Sequence, residues 1–134
     1  MRDNDWLIKR LDQMWELLFP DVERLNFVRI RFKGKWKNKF GHIKRLRDKS
    51  TEIAINGLFS DERVPEYIID TTIAHELVHY LHGFQSPYPQ RYKHPHRGGV
   101  VNKELAKRGF GHLMKVEKEF VQKQWMPIFR SFRF

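Results

Sequence analysis

Residues 65–83, PEYIIDTTIAHELVHYLHG, decide how this chain is read. Pro65 suits the first helical position and Gly83 the C-terminal cap, so the spacing predicts a helix from Pro65 to about His82. Ile73, Ala74, Leu77, Val78 and Leu81 form one apolar stripe. His75, Glu76 and His79 project from roughly the opposite side at about 100° per residue. Residues four apart lie one turn above each other, so the two imidazoles converge on one point with Glu76 beside them. That is the HExxH pattern, in which the histidines bind zinc and the glutamate acts on a zinc-bound water. With 7 His and 9 Glu in 134 residues, shuffling yields only about 0.02 such motifs per chain.

Working outward, Asp5 to Phe19 carries Trp6, Leu7, Leu11, Met14, Trp15 and Leu18 at helical spacing and stops at Pro20. Asn26 to Lys33 alternates Val28, Ile30 and Phe32 with Arg29 and Arg31, the pattern of a half-buried strand. Gly34 and Gly41 bracket a Lys-rich hairpin turn, His42 to Arg47 returns as a second strand, and Thr51 to Asn56 forms a third with Ile53 and Ile55 on one face. These predict a small antiparallel sheet. A turn at Ser60 to Arg63 precedes the HExxH helix. A loop with Pro87, Pro89 and Pro95 follows it, long enough to be functional. Helices are expected at Gly98 to Arg108 and His112 to Trp125, and the tail from Pro127 as a short strand or an anchor on the core. The fold class is α+β, one domain over residues 1–134.

Composition narrows the function. The chain has no cysteine, which excludes disulfides, thiolate zinc fingers and a cysteine nucleophile. It has no apolar run of membrane-spanning length, and Arg2, Asp3, Asp5, Lys9 and Arg10 interrupt any signal peptide. A cytoplasmic or nucleoid-associated monomer is the expectation. The net charge of +10 is blocky: −2 over residues 1–24, +9 over 25–50, −5 over 51–85 and +8 over 86–134. Basic blocks of this kind favour a polyanion through phosphate neutralisation. The densest cluster is Lys33, Lys35, Lys37, Lys39, Lys44, Arg45 and Arg47, with Trp36 and Phe40 interleaved, a composition suited to single-stranded nucleic acid. A solvated loop whose aromatics fold onto the core is the plain alternative.

A catalytic zinc site needs a third protein ligand and an open position. His82 lies about 10 Å along the axis from His75, too far for all three to grip one ion. The longer HExxHxxGxxH pattern fails, because its Gly and His positions hold His82 and Gln85. His94, His96 and Glu104 remain, Glu104 being the only carboxylate between His79 and Glu117.

From about Trp36 to Phe110 the sequence resembles the SprT-like metallopeptidases, the family that contains Spartan. The matching features are the Lys-rich stretch with Gly41, the strand Thr51 to Asn56, the spacer through Pro65, the HELVH run, and a late histidine that opens a helix ending near Gly109. The resemblance implies a zincin-like minimal metalloprotease fold and a third zinc ligand at His96, with His94 as runner-up. Arg97 and Val100 stand where members usually carry Gly and an aromatic, and the four-cysteine zinc ribbon of many members has no counterpart here. It also implies a zinc-dependent endopeptidase acting on DNA-associated or DNA-crosslinked proteins.

The zinc chemistry makes Glu76 the expected base toward water, with Tyr88, Tyr92 or the histidine left over from His94 and His96 as candidate oxyanion donors. Thr51 to Asn56 is expected to take an extended peptide by strand addition. Two other readings are weighed: a zinc hydrolase with a non-peptide substrate, and a non-enzymatic basic nucleic-acid-binding domain in which zinc is structural.

Overall fold

The computed structural model describes residues 1–133. Helix α1 (Asn4–Leu18) starts at Asp3, whose side chain accepts the Trp6 amide at 2.8 Å, and buries Leu7, Leu11, Met14, Trp15 and Leu18. Strands β1 (Val28–Lys33), β2 (Gly41–Arg45) and β3 (Thr51–Asn56) make one sheet, followed by a 3₁₀ turn at Gly57–Ser60. Next come α2 (Glu66–Leu81), a 3₁₀ turn at Arg97–Gly99, α3 (Val100–Lys107) and α4 (His112–Phe120). A π-helical stretch at Val121–Trp125 leads into α5 (Met126–Ser131).

The sheet is mixed, with order β1-β3-β2, and corrects the antiparallel expectation. β3 is central, parallel to β1 and antiparallel to β2. The hairpin joins β2 to β3 through residues 46–50, where Leu46 N–H donates to the Ser50 carbonyl at 2.9 Å and Lys49 takes φ 70°. The Lys-rich segment 34–40 is no hairpin. It crosses the end of β3, so close that a Cβ on Gly57 would fall 2.4 Å from the Gly34 carbonyl oxygen. Asn56 pins this crossing: its amide nitrogen Nδ2 donates to the Trp36 and Lys39 carbonyls at 2.7 and 2.9 Å, and its backbone N–H to Phe40 at 2.8 Å. One buried side chain thus replaces the ladder that a hairpin would have supplied.

All six residues of β3 are buried and both its edges are paired. Strand addition at Thr51 to Asn56 is therefore precluded; the open edges belong to β1 and β2. Arg45 N–H, at one end of β2, is already donated to Gln85 Oε1 at 2.7 Å.

Helices α1 and α2 cover one face of the sheet. Gly41 is where α2 comes closest, since a Cβ there would meet Thr72 Cγ2 at 2.7 Å. Arg10 on α1 grips Asp70 on α2 bidentately, with Nε donating to Oδ1 at 2.6 Å. The opposite side of α2 carries a second cover of α3, α4 and the 84–96 segment, so α2 is buried round nearly its whole circumference. The stripe read from the sequence is only part of that buried surface, which also takes in Thr72, Glu76, His79 and Tyr80. The π-helical stretch has a local cause. Pro127 has no N–H to give the Lys123 carbonyl and its ring crowds that oxygen, so the turn widens and Trp125 swings inward against Phe40 and Phe59. From Pro127 to Ser131 the tail is helix and not strand, and Ile128, Phe129 and Phe132 anchor it on the core.

Candidate metal centre

Two histidines are delivered by α2 and the third by the chain beyond it. His75 and His79 present their Nε2 atoms 3.0 Å apart, and the ligand nitrogens of His75, His79 and His96 all lie within 4.8 Å of one another. The His79 and His96 ring centroids are 4.5 Å apart, those of His75 and His96 5.9 Å. A tetrahedral ion with nitrogens at about 2.0–2.1 Å asks for nitrogens about 3.3 Å apart, so these three can close on one metal with small side-chain movement.

The end of α2 shapes this arrangement. Gly83 has φ +77°, and the amides of Gly83 and Phe84 donate back to Tyr80 and His79 carbonyls at 3.1 and 2.9 Å, a Schellman cap. The accompanying side-chain contact is Phe84 on the His79 ring, with centroids 5.4 Å apart. The sequence offers this contact to anyone who reads the cap one residue further.

Electrostatics keep the donors open. Burial, helped by the neighbouring His96, pushes His75 down to about 4. Burial and the adjacent imidazoles push His79 to about 3. Both rings are therefore neutral near pH 7, the state that offers lone pairs to a metal. Glu76 is 4% exposed, and burial raises it to about 8, with Lys39 opposing and Glu117 adding to the rise. Its Oε2 is buried without a hydrogen-bond partner. A buried carboxylate oxygen with no protein partner, one residue from a histidine that faces two others, fits a site built to receive a cation and its water.

The rival third ligands lie elsewhere. Glu104 receives Arg108 Nε at 2.9 Å and lies 3.4 Å from His82 Nε2. Arg108 also binds Asp21 bidentately at 2.6 and 2.9 Å, so this network ties α3 to the end of α1. His94 is exposed and outside the cluster, its carbonyl capping the Arg97 amide at 3.1 Å. Neither tyrosine reaches the centre: Tyr88 donates to the Glu23 carbonyl at 2.7 Å, and Tyr92 packs edge-on against His82 at 5.0 Å.

The basic cluster divides. Trp36 carries Lys39 over its ring at 4.5 Å and leans on His42 at 5.4 Å, while Lys44 is exposed on the same sheet face as His42. Lys33, Lys35, Lys37 and Arg47 are exposed along the crossing segment and the β2–β3 turn. Arg45 is partly committed, its Nε donating to the Lys49 carbonyl at 3.0 Å. Phe40 is spent on the core, edge-on to Phe59, Phe120 and Trp125. The residue that sequence reasoning missed is Glu117, a half-buried glutamate on α4 with one buried oxygen, whose charge is felt at Glu76. Amphipathic spacing on α4 marks it only as polar.

The chain is thus an α+β protein with three histidines close enough to share a metal ion, and among the described residues no helix is long and apolar enough to cross a membrane. Comparison with models of known protein families, with curated proteins and with solved structures finds no match.

Proposed function

We propose that this chain is a zinc-dependent metallopeptidase of the SprT-like, zincin type, with His75, His79 and His96 holding zinc and Glu76 as the general base. The observation that carries the reading is a three-histidine cluster together with Glu76, the residue after His75, whose Oε2 is buried and unpartnered. A structural zinc site would be closed by four protein ligands and would leave Glu76 without a task. Bound zinc supplies Lewis acidity and lowers the pKa of water toward about 7. Glu76 takes a proton from the attacking water at its free oxygen and passes it to the leaving amine. Glu76, held above the usual carboxylate range by burial, would be lowered by a cation held at His75, His79 and His96 and so made ready to accept that proton. The extended substrate pairs with the outer edge of β2, which runs beside α2. Arg45 shares its outward parity with Gly41 and Ile43, whose backbone groups therefore point to the open side of the ladder.

DNA-associated proteins are the proposed substrates, with the basic face around Trp36, Lys37, Lys39 and Lys44 contacting phosphates. Neutralising Lys37 and Lys44 together should lower the slope of log affinity against log salt by about 1–2. An unchanged slope removes that face from the reading.

The deciding experiment is metal content by elemental analysis, run on wild type, His96→Ala, His94→Ala, Glu104→Ala and Glu76→Gln. About one zinc per chain is expected in wild type, lost only in His96→Ala. Glu76→Gln should keep zinc while cleavage of a protein substrate falls by about 10²–10⁴. Retained cleavage in Glu76→Gln, or no zinc in reconstituted wild type, overturns the enzyme reading.

A further inference from the structure

Two cavities of about 480 and 310 Å³ flank α4, one toward α3 and the other toward the 34–40 segment. Both are lined by Glu117 and Val121, so together they form a groove that passes over these two side chains. Glu117 Oε2 is buried and has no hydrogen-bond partner. Lys37, Lys115 and Lys118 line the groove yet leave that oxygen unpartnered. The other walls are largely apolar, with Met114 on one side and Phe40 and Trp125 on the other. The groove does not include the three histidines, but α4, which carries Glu117, packs against α2, the helix that carries His75 and His79.

An unpaired buried carboxylate oxygen is costly, and the cost is relieved by a donor that arrives with its own charge. A long aliphatic stem ending in a cation matches these walls and this floor, because such a stem lies along apolar surface while its head seeks a partner. We propose that the groove is a specificity subsite for a lysine or arginine side chain of the substrate, with Glu117 as the residue that selects it. The proposal rests on the peptidase reading for its substrate class.

The test uses two hexapeptides that differ only in lysine or norleucine at one position, on the full zinc-loaded chain. Binding is followed by the Trp125 indole N–H resonance, since that ring lines the groove. Wild type should bind the lysine peptide on the order of 10- to 100-fold more tightly, and Glu117→Gln should bring the two peptides level. Glu117→Asp, which withdraws the carboxylate by one methylene, should fall between and serves if the Gln variant does not fold. Equal binding of both peptides by wild type, or a preference that survives in Glu117→Gln, overturns the subsite. Cleavage of the same peptides is scored separately. Cleavage without a lysine preference removes the subsite and keeps the peptidase. A lysine preference in binding without cleavage keeps the subsite and removes the peptidase.

Discussion

His75 and His79 stand on a helix enclosed on both sides, whereas His96 sits exposed at the end of an irregular segment of the chain. The first pair is placed by a helix whose Ile73, Leu77 and Val78 are buried in the core, a placement that core burial supports whether or not a metal is present. The third ligand has no comparable packing. It caps a 3₁₀ turn whose next residues, Gly98 and Gly99, both take positive φ with open space around them. The difference teaches that the fold holds His75 and His79 by core packing, while His96 reaches them from an exposed turn with little packing behind it.

The largest expected effect separates these two halves. Zinc at a thousandfold above its dissociation constant should stabilise wild type by about 4 kcal/mol. His96→Ala and His79→Ala should both lose that gain. Metal-free His96→Ala should match metal-free wild type within about 0.5 kcal/mol, since an exposed surface residue is removed. Metal-free His79→Ala should differ by more, because its ring fills space 1% exposed and packs on Phe84. Urea unfolding with and without chelator measures all four values. Equal metal-free losses in the two variants would mean that His96 is as firmly built in as His79.

A smaller effect tests the joint between the halves. A Cβ on Gly83 would meet the Pro89 carbonyl oxygen at 2.2 Å and the Tyr88 carbonyl oxygen at 2.5 Å, so the segment leading to His96 is folded directly over the helix cap. Arg91 N–H donates to the His82 carbonyl at 2.9 Å and holds it there. Gly83→Ala combines strain at positive φ with this collision and should cost about 1–3 kcal/mol of stability. It should weaken zinc affinity although no ligand is altered. Unchanged affinity by competition with a chromogenic chelator would show that His96 is positioned independently of the cap.

The same contrast explains what could be read from sequence. The α2 boundaries, the Gly83 cap and β3 were legible because each is local: a proline, a glycine, a run of β-branched residues. His96 became the choice over His94 and Glu104 only through the family resemblance, since spacing along a chain does not report which of three loop residues turns inward. The sheet order was hidden because Asn56, the residue that directs the crossing, works through side-chain bonds to Trp36 and Lys39 that no periodicity displays. Reading Gly34 and Gly41 as hairpin brackets follows turn chemistry correctly, but a seven-residue connection is also long enough to pass one strand. Glu117 was invisible for a related reason. Its partial burial comes from Phe40 and α3, both remote in sequence, and from Trp125 two turns further along the same helical run.

The smallest effect tests how closed the cover over α2 is. Burial raises Glu117 above the ordinary carboxylate range. The folded chain therefore holds that proton to higher pH than the unfolded chain, whose glutamate titrates near about 4.3. Below that value both states are protonated and Glu117 exacts nothing. As pH rises through the ordinary value toward the raised one, the unfolded state ionises first and stability falls, by no more than about 1.4 kcal/mol per pH unit. Glu76, raised to about 8 by its own burial, extends the same descent in the metal-free protein. Asp21, held low by the Arg108 hydrogen bond, has the opposite sign and gains stability as pH rises. The informative quantity is thus the difference between wild type and Glu117→Gln, measured as urea midpoints from pH 4 to 8 in chelator. The variant should gain on wild type across the lower part of that range and then run parallel to it. If the two curves are parallel throughout, Glu117 ionises as freely in the folded chain as in water, and the cover formed by α3 and α4 is more open than the enclosure of α2 requires.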